Sequence, residues 1–331
     1  MSLRIGKAGA AILVVLAFCA GAWGCGSDSG DDAAENPPPP ANPEDFPKPG
    51  GKTLAQLEKE LGAEGPVLAP SVSQFVPGDN RFGFGLFDRS RAQIADAPTA
   101  LYVAPVGGGK ARGPIVARYE SLAVKTQFQS QSVTSDPDSA KSIYVADVSF
   151  AKPGRYDVLA VARLDGRLVA AGNAAGPVAV AKSSRVPDVG DQAPVVKTPT
   201  TAEAAGNIEA IDTRKPPSTM HEKNFANVVG RRPVILLFAT PALCQSRVCG
   251  PVVDIAEQVK ARRGDDAEFI HQEIFVDNEI DKGFRSQVLE WNLPTEPWVF
   301  AVDRRGRVAA RIEGAFSAKE LERAVDAAVK G

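Results

Sequence analysis

Residues 238–254 read FATPALCQSRVCGPVVD and contain two cysteines, Cys244 and Cys249. The cysteines come after an uninterrupted apolar run, residues 234–239, whose last two residues open this segment. The short length and branched side chains of that run predict a strand buried on both faces. Apolar side chains then recur at helical spacing, which predicts a helix. The cysteines therefore lie where a central strand passes into a helix, and the positive end of that helix favours a thiolate over a thiol.

The balance of acidic and basic residues limits which classes of molecule the protein is expected to bind. The chain has 331 residues, of which 38 are basic and 40 acidic, and its formal net charge is −2. It lacks the basic bias of nucleic-acid-binding proteins, so nucleic acid is not an expected partner. Two of the four cysteines, Cys19 and Cys25, lie near the N-terminus. A disulfide within the folded part can therefore join only Cys244 and Cys249.

Residues 1–24 are predicted to be an export signal. Arg4 and Lys7 precede an apolar run, residues 8–23, that is shorter than the ~20 residues of a membrane-spanning helix. The run ends before Cys25 in a pattern that resembles a bacterial lipoprotein signal, in which this cysteine carries the lipid. A simple secretory signal and a retained signal anchor are the alternatives. The lipoprotein interpretation places the protein on the extracytoplasmic face of the cell membrane, where disulfides persist.

An all-β domain is predicted after a tether. Residues 25–64 are rich in Ser, Asp, Asn and Pro, which predicts a disordered tether with a short helix near its end. Residues 65–182 contain strand-length runs between turn signals, and residues 144–150 have the two-residue alternation of a half-buried antiparallel strand. This region resembles an immunoglobulin-like sandwich of about seven strands. Residues 152–158, KPGRYDV, resemble the turn into a late strand of such bacterial domains.

A linker, residues 183–199, is predicted to join this domain to a second one, residues 200–331, with each domain folding alone. Residues 189–194, VGDQAP, resemble the opening segment of extracytoplasmic thioredoxin-like proteins. Strands and helices alternate after it, and a hairpin of residues 298–302 and 308–313 and a helix capped at Ser317 end the chain. This order is the thioredoxin-like α/β arrangement. The expected elements include strands over residues 208–211 and 267–276 and helices over residues 221–229 and 279–291.

Two motifs make the resemblance to the thioredoxin family more specific. Pro251 matches the proline that starts the second half of the family's active-site helix, which places Cys244 near the family's nucleophile. Pro297 matches the family's cis-proline, which would leave backbone groups open for a substrate chain to pair with. The resemblance implies thiol–disulfide exchange in which Cys244 attacks and Cys249 resolves the mixed disulfide.

The cysteine spacing departs from the family pattern. Thioredoxins carry two residues between their cysteines, whereas four separate Cys244 from Cys249. Residues five apart on an ideal helix have Cα atoms about 8.6 Å apart, and a disulfide tolerates only about 7 Å. We therefore expect Cys244 in the loop before the helix and Cys249 one turn inside the helix. Arg247 would lower the pKa of a thiolate if it turns inward, and an exposed, solvated arginine is the alternative.

The buried acid of many thioredoxins is absent from the central strand. Glu273, on a neighbouring predicted strand, is the candidate proton acceptor in its place. Alternatively, Glu273 and His271 are partly solvated partners on one strand face. Copper-delivering relatives of this fold add a histidine to two cysteines, but neither His221 nor His271 lies in the late loop where that histidine is expected. The sequence predicts no metal site and no cofactor.

These patterns predict a membrane-anchored extracytoplasmic thiol–disulfide oxidoreductase that acts on protein thiols and disulfides. One alternative is a non-catalytic binding or assembly lipoprotein in which Cys244 and Cys249 form a structural disulfide. Another is a copper-delivery protein. Closing a six-residue loop removes little chain entropy, which favours a redox role over a structural one.

Overall fold

The computed structural model describes residues 37–62, 65–244 and 246–331. The predicted signal, the predicted lipid-bearing Cys25 and the first part of the tether lie outside the described residues. Within the described ranges, no helix has both the length and the apolar character that crossing a membrane requires.

The first domain is a closed β-barrel of seven strands. The strands are β1 Val67–Pro70, β2 Gly78–Phe87, β3 Thr99–Pro105, β4 Arg112–Ser121, β5 Ser142–Phe150, β6 Gly154–Leu164 and β7 Arg167–Asn173. They follow one another around the barrel in the order β3-β4-β5-β2-β1-β7-β6, and β6 pairs with β3 to close it. The β1–β7 pair is parallel and the other pairs are antiparallel. A short strand, β8 Val178–Val180, extends the sheet beside β6.

The prediction of an immunoglobulin-like sandwich is therefore wrong in its architecture. A sandwich has two sheets facing each other, whereas here a single sheet closes on itself through the β3–β6 pairing. Strands of a barrel and strands of a sandwich both point alternate side chains inward, so the alternating pattern of β5 fits either architecture. The barrel interior is packed with aromatic side chains, including Phe82, Phe84, Tyr144 and Phe150.

Two helices belong to the barrel domain. The first, α1 Leu54–Leu61, begins at a capping box formed by Thr53 and Gln56 and corresponds to the predicted short helix. Its Leu57 joins a buried cluster with Tyr102 and Leu159 on the outside of the barrel. This cover explains why β3 is buried on both faces. The second, α2 Gln131–Thr134, is one turn long and lies in the connection between β4 and β5.

The second domain is a four-stranded sheet covered on both faces. Its strands are β9 Val234–Phe238, β10 Glu268–Gln272, β11 Trp298–Val302 and β12 Val308–Glu313, in the order β10-β9-β11-β12. The β9–β10 pair is parallel, and β11 is antiparallel to both β9 and β12. The helices are α3 Phe225–Val228, α4 Cys249–Arg263, α5 Ser286–Glu290 and α6 Ala318–Lys330. Alternate residues of β9 join a core with α4 and α6 on one face and a core around Trp291 on the other.

Four predicted elements of this domain differ from the structure. The strand predicted over residues 267–276 is shorter, because β10 ends at Gln272 and a 3₁₀ turn begins at Val276. Residues 208–211 contain a 3₁₀ turn, Ile208–Ala210, and β9 pairs with β10 and β11 instead. Only one helical turn, α3, forms within residues 221–229. Residues 279–291 contain a 3₁₀ turn and the short α5. Gly283, between these two, has a φ of 79°, which a right-handed helix cannot include.

The barrel and the α/β domain share a core. The barrel residues in the buried cluster of α4, α6 and β12 are Leu122, Val124, Ile143 and Val145. The predicted linker also packs on the α/β domain, because Val186 and Val196 are buried in the core around Trp291. Both domains belong to one compact unit. The surface that the α/β domain presents to the barrel is therefore part of its core.

Candidate active site

The two cysteines meet at the start of α4. Cys244 lies in the loop after β9 and is partly exposed, whereas Cys249 is the first residue of α4 and is fully buried. Both are free thiols, and their sulfur atoms lie within 4.8 Å of each other. The loop position of Cys244 agrees with the prediction, but Cys249 lies at the helix start and not one turn inside. The helix starts late because Arg247 has a φ of 58°, outside the helical region.

The two thiols have opposite pKa shifts. A hydrogen bond from the Cys249 thiol lowers the pKa of Cys244 to about 6, against the opposing effect of burial. The Ser246 hydroxyl, 3.2 Å from the Cys244 sulfur, and the backbone N–H groups of Cys249 and Val248 lower it further. These amides belong to the start of α4, as the sequence predicted. Burial, followed by the hydrogen bond to Cys244, raises the pKa of Cys249. At neutral pH the accessible sulfur is therefore a thiolate and the buried one holds a proton.

Arg247 is engaged with the barrel domain. Its Nη1 lies 2.6 Å from an oxygen of Asp138 and 3.6 Å from one of Asp136, both in the connection between β4 and β5. The positive groups around the Cys244 thiolate are thus the backbone amides of α4, while the Arg247 guanidinium pairs with these two aspartates.

The β4–β5 connection, residues 122–141, forms one wall of the site. The backbone N–H and the hydroxyl of Ser130 donate to one oxygen of Asp254, at 2.8 and 3.0 Å. A Cβ atom at Gly250 would lie only 3.0 Å from the Ser132 hydroxyl oxygen. The barrel domain therefore packs directly on the first turn of α4, and a partner must reach Cys244 from another side.

Glu296 is a site residue that the sequence reasoning missed. The peptide bond between Glu296 and Pro297 is cis, as the family resemblance implies. One carboxylate oxygen of Glu296 lies within 4.8 Å of the sulfur atoms of both Cys244 and Cys249. Its Oε2 is buried, with no hydrogen-bond partner among the described residues. Burial raises the pKa of Glu296 to about 8, and the charges of Cys244 and Glu273 add to the rise. The sequence contained one indication of this role, because Glu296 directly precedes Pro297 and the buried strand that follows it.

Glu273 lies outside the group formed by the two cysteines and Glu296. Its Oε1 accepts hydrogen bonds from the backbone N–H and the hydroxyl of Thr213, both at 2.7 Å. Glu273 and His271 are both buried, so the interpretation of them as partly solvated partners is wrong. Glu273 influences the site at longer range, by helping to raise the pKa of Glu296.

The two histidines form a separate cluster with Asp212. His221 and His271 are both buried, and their rings lie 5.2 Å apart between centroids. The residues described by the structure thus assemble no site of two cysteines and a histidine.

The order of strands and helices in the second domain identifies its fold. A central strand leads to a cysteine-bearing helix, a cis-proline precedes the neighbouring antiparallel strand, and a hairpin and helix complete the sheet. The second domain has the thioredoxin-like fold. This assignment rests on strand order and helix placement.

Comparisons with known proteins give few matches. No model of a known protein family matches the chain, and no curated protein matches it. Among solved structures, it is similar to a putative thiol:disulfide interchange protein DsbE from Chlorobium tepidum, with 17% identity over 43% of this chain and 99% of that one, at a TM-score of 0.31. A thiol:disulfide interchange protein of the thioredoxin family from Chlorobium tepidum TLS has 15% identity over 44% of this chain and 99% of its own, at a TM-score of 0.29.

Proposed function

We propose that this protein exchanges thiols and disulfides with protein substrates through Cys244 and Cys249. The main support for this proposal is the arrangement of the two sulfur atoms. An accessible thiolate lies within 4.8 Å of a buried, protonated thiol at the start of a helix. A low-pKa, accessible thiolate is the nucleophile of disulfide exchange, and a buried neighbouring thiol is protected until a mixed disulfide forms.

The reaction proceeds in two exchanges. The Cys244 thiolate attacks one sulfur of a substrate disulfide, and the other substrate sulfur leaves as a thiolate. Cys249 then gives up its proton, and its sulfur attacks the Cys244 sulfur of the mixed disulfide. The second substrate thiolate leaves and a Cys244–Cys249 disulfide remains, so the substrate gains two electrons and the protein loses them. The reverse sequence oxidises a substrate dithiol.

Glu296 is the proton acceptor for Cys249 in this scheme. While Cys244 is a thiolate, its charge helps to raise the pKa of Glu296. In the mixed disulfide the Cys244 sulfur is uncharged, so this contribution disappears and the carboxyl group ionises more readily. The base thus becomes available at the stage when Cys249 must lose its proton. The buried Oε2 of Glu296 has no partner among the described residues that would compete for that proton.

The Glu296→Gln variant should clear its mixed disulfide slowly. An amide cannot accept the proton of Cys249, and positioned proton acceptors contribute at least about 10²-fold to rates. Single-turnover decay of a preformed mixed disulfide, followed by rapid quenching, measures this step. Glu290→Gln, an exposed position on α5, is the matched control. Decay at the wild-type rate in Glu296→Gln would assign the proton acceptor elsewhere.

The reduction potential of the purified protein tests the proposed function directly. A catalytic pair should equilibrate with glutathione or thioredoxin buffers, at a potential above about −300 mV. A potential below about −300 mV would mark a structural disulfide and favour the binding or assembly interpretation.

Membrane attachment through a lipid on Cys25 is part of the same proposal. It is supported by the lipoprotein-like signal that precedes this residue. Cys25→Ser should release the protein into the soluble extracytoplasmic fraction, whereas Cys19→Ser should leave it in the membrane fraction. Retention of an unprocessed Cys25→Ser protein in membranes would point to a signal anchor.

A further inference from the structure

Asp212, His221 and His271 form a cluster that the redox chemistry does not use. The exposed fraction of each residue is 2% or less. His271 lies on β10, while Asp212 and His221 come from the irregular segment before α3. One ligand atom from each residue lies within 4.8 Å of those of the other two. The sequence offers no motif here, because the three residues are nine and fifty positions apart.

One nitrogen of this cluster, Nδ1 of His221, has no hydrogen-bond partner among the described residues. Oδ2 of Asp212 accepts from the backbone N–H of Ser218 at 2.6 Å and lies 3.0 Å from Nε2 of His221. Nδ1 of His271 lies 3.6 Å from the same oxygen, too far for a hydrogen bond. Nδ1 of His271 is paired instead with the Ser218 hydroxyl at 3.2 Å. Buried polar atoms are normally paired, so the unpaired nitrogen of His221 and the convergence of two imidazoles on one carboxylate set this cluster apart.

The distances suit a metal ion. Zinc binds imidazole nitrogen and carboxylate oxygen at about 2.0–2.2 Å, so tetrahedral ligand atoms lie about 3.3–3.5 Å apart. The separations from Asp212 Oδ2, 3.0 Å to His221 and 3.6 Å to His271, bracket that range. The Ser218 hydroxyl, 3.2 Å from Nδ1 of His271, lies at the same end of the cluster.

Hydrogen bonds to backbone groups orient two of the three side chains. Nε2 of His271 lies 3.0 Å from the carbonyl oxygen of Ala239, which can only accept, so Nε2 carries the hydrogen and Nδ1, which faces Asp212 and the Ser218 hydroxyl, is the available ligand atom. Oδ1 of Asp212 accepts from the backbone N–H of Arg214 at 2.7 Å, which leaves Oδ2 facing the histidines. Metal-binding histidines commonly donate their other N–H to a backbone carbonyl in this way.

The charge of the surroundings also suits a divalent cation. The carboxylates of Asp212 and Glu273 both act electrostatically on the two histidines. An imidazole nitrogen must be free of its proton to bind a metal, so the ion would take the place of a ring proton beside the Asp212 carboxylate. We propose that Asp212, His221 and His271 bind a divalent transition-metal ion of the zinc class.

A bound ion would fasten the segment that supports the cysteine loop. Thr213, next to Asp212, donates to Glu273, and its hydroxyl oxygen accepts from the backbone N–H of Ala242 at 3.1 Å. Ala242 lies two residues before Cys244. The site is thus structural, since its ligands are buried and lie apart from the sulfur atoms.

Zinc content and cobalt spectra test the proposal. The full chain with Cys19, Cys25, Cys244 and Cys249 each replaced by Ser, which removes the thiols as competing ligands, is stripped with chelator and dialysed against ZnCl₂ or CoCl₂. We expect one zinc per chain by atomic emission and a visible cobalt spectrum of a four-coordinate site without thiolate bands. Zinc should also raise the thermal unfolding midpoint, and chelator should reverse the rise.

Ligand variants in the same background locate the ion. Asp212→Asn and His271→Gln should each weaken zinc binding by at least about tenfold. Asp303→Asn, another buried aspartate, is the matched control and should bind as the parent does. Circular dichroism establishes that each variant is folded. If a variant does not fold, the parent's zinc stoichiometry and cobalt spectrum still decide. The proposal is overturned if the parent binds no zinc, or if folded Asp212→Asn binds as tightly as the parent.

Discussion

The Cys249→Ala variant should accumulate covalent adducts with protein substrates, and the Cys244→Ala variant should accumulate none. In Cys249→Ala the nucleophile remains accessible, but no internal thiol can attack the mixed disulfide, so the adduct persists. In Cys244→Ala the remaining thiol is fully buried and its pKa is raised by burial. Exchange activity should fall to background in both variants. Non-reducing gels followed by mass spectrometry of the adducts measure this result.

The pH dependence of alkylation identifies the attacking thiol in the reduced wild-type protein. Because the pKa of Cys244 is about 6, its labelling rate should rise through pH 6 and level off above about pH 7. Cys249 should stay unlabelled across this range. Slow, equal labelling of both thiols with a pKa near the free value of about 8.5, and no adduct in either variant, would contradict the enzyme interpretation.

Local patterns were sufficient for much of the α/β domain. The hairpin strands, residues 298–302 and 308–313, have the bounds that the apolar runs predicted, and the capping box at Ser317 starts the last helix. These elements depend on near neighbours in sequence: a turn, a cap and a continuous buried run. The short elements between residues 208 and 291 depend instead on tertiary packing, and their bounds were predicted poorly.

Barrel closure had no local signal. Pairing of β3 with β6 joins strands about fifty residues apart, and the inward-facing pattern of each strand is the same in a sandwich. The core shared by the two domains could not be predicted from the sequence for a similar reason. Leu122 and Val124 resemble ordinary loop residues in sequence, but they are buried against the other domain. A proline-rich connection predicts separate domains only where the facing surfaces are polar.

The candidate site was predicted in part. The cysteines and Pro297 stood out because family motifs mark them, whereas Glu296 acquires its role only through the cis-proline turn that brings it to both sulfur atoms. Arg247 is the opposite case, a predicted site residue that the structure pairs with another group. Its sequence position suggested a partner for the thiolate, but the folded chain supplies Asp138 as its partner.

Removing the Glu320 carboxylate should destabilise the whole molecule. Glu320 lies on α6 with 4% of its side chain exposed and pairs at 2.8 Å with Arg81 of β2, across the boundary between the two domains. Arg81 also donates to the carbonyl oxygen of Ala315. The Glu320→Gln variant leaves Arg81 largely buried without its counter-charge, which costs about 3–5 kcal/mol when one partner of a buried pair is removed. Urea unfolding followed by circular dichroism measures the loss.

The matched control is Glu322→Gln on the same helix. Glu322 pairs with Arg262 at 2.7 Å, but both side chains are at least one-third exposed, so the loss should be below about 1 kcal/mol. Burial raises the pKa of Glu320, but Arg81 and Arg118 outweigh it and lower that pKa below 4.5. The stabilisation is therefore complete at neutral pH and is lost as the pH falls through the lowered pKa. The difference between wild type and Glu320→Gln should shrink in the same range. Equal small losses in both variants would show that this ion pair does not hold the domains together.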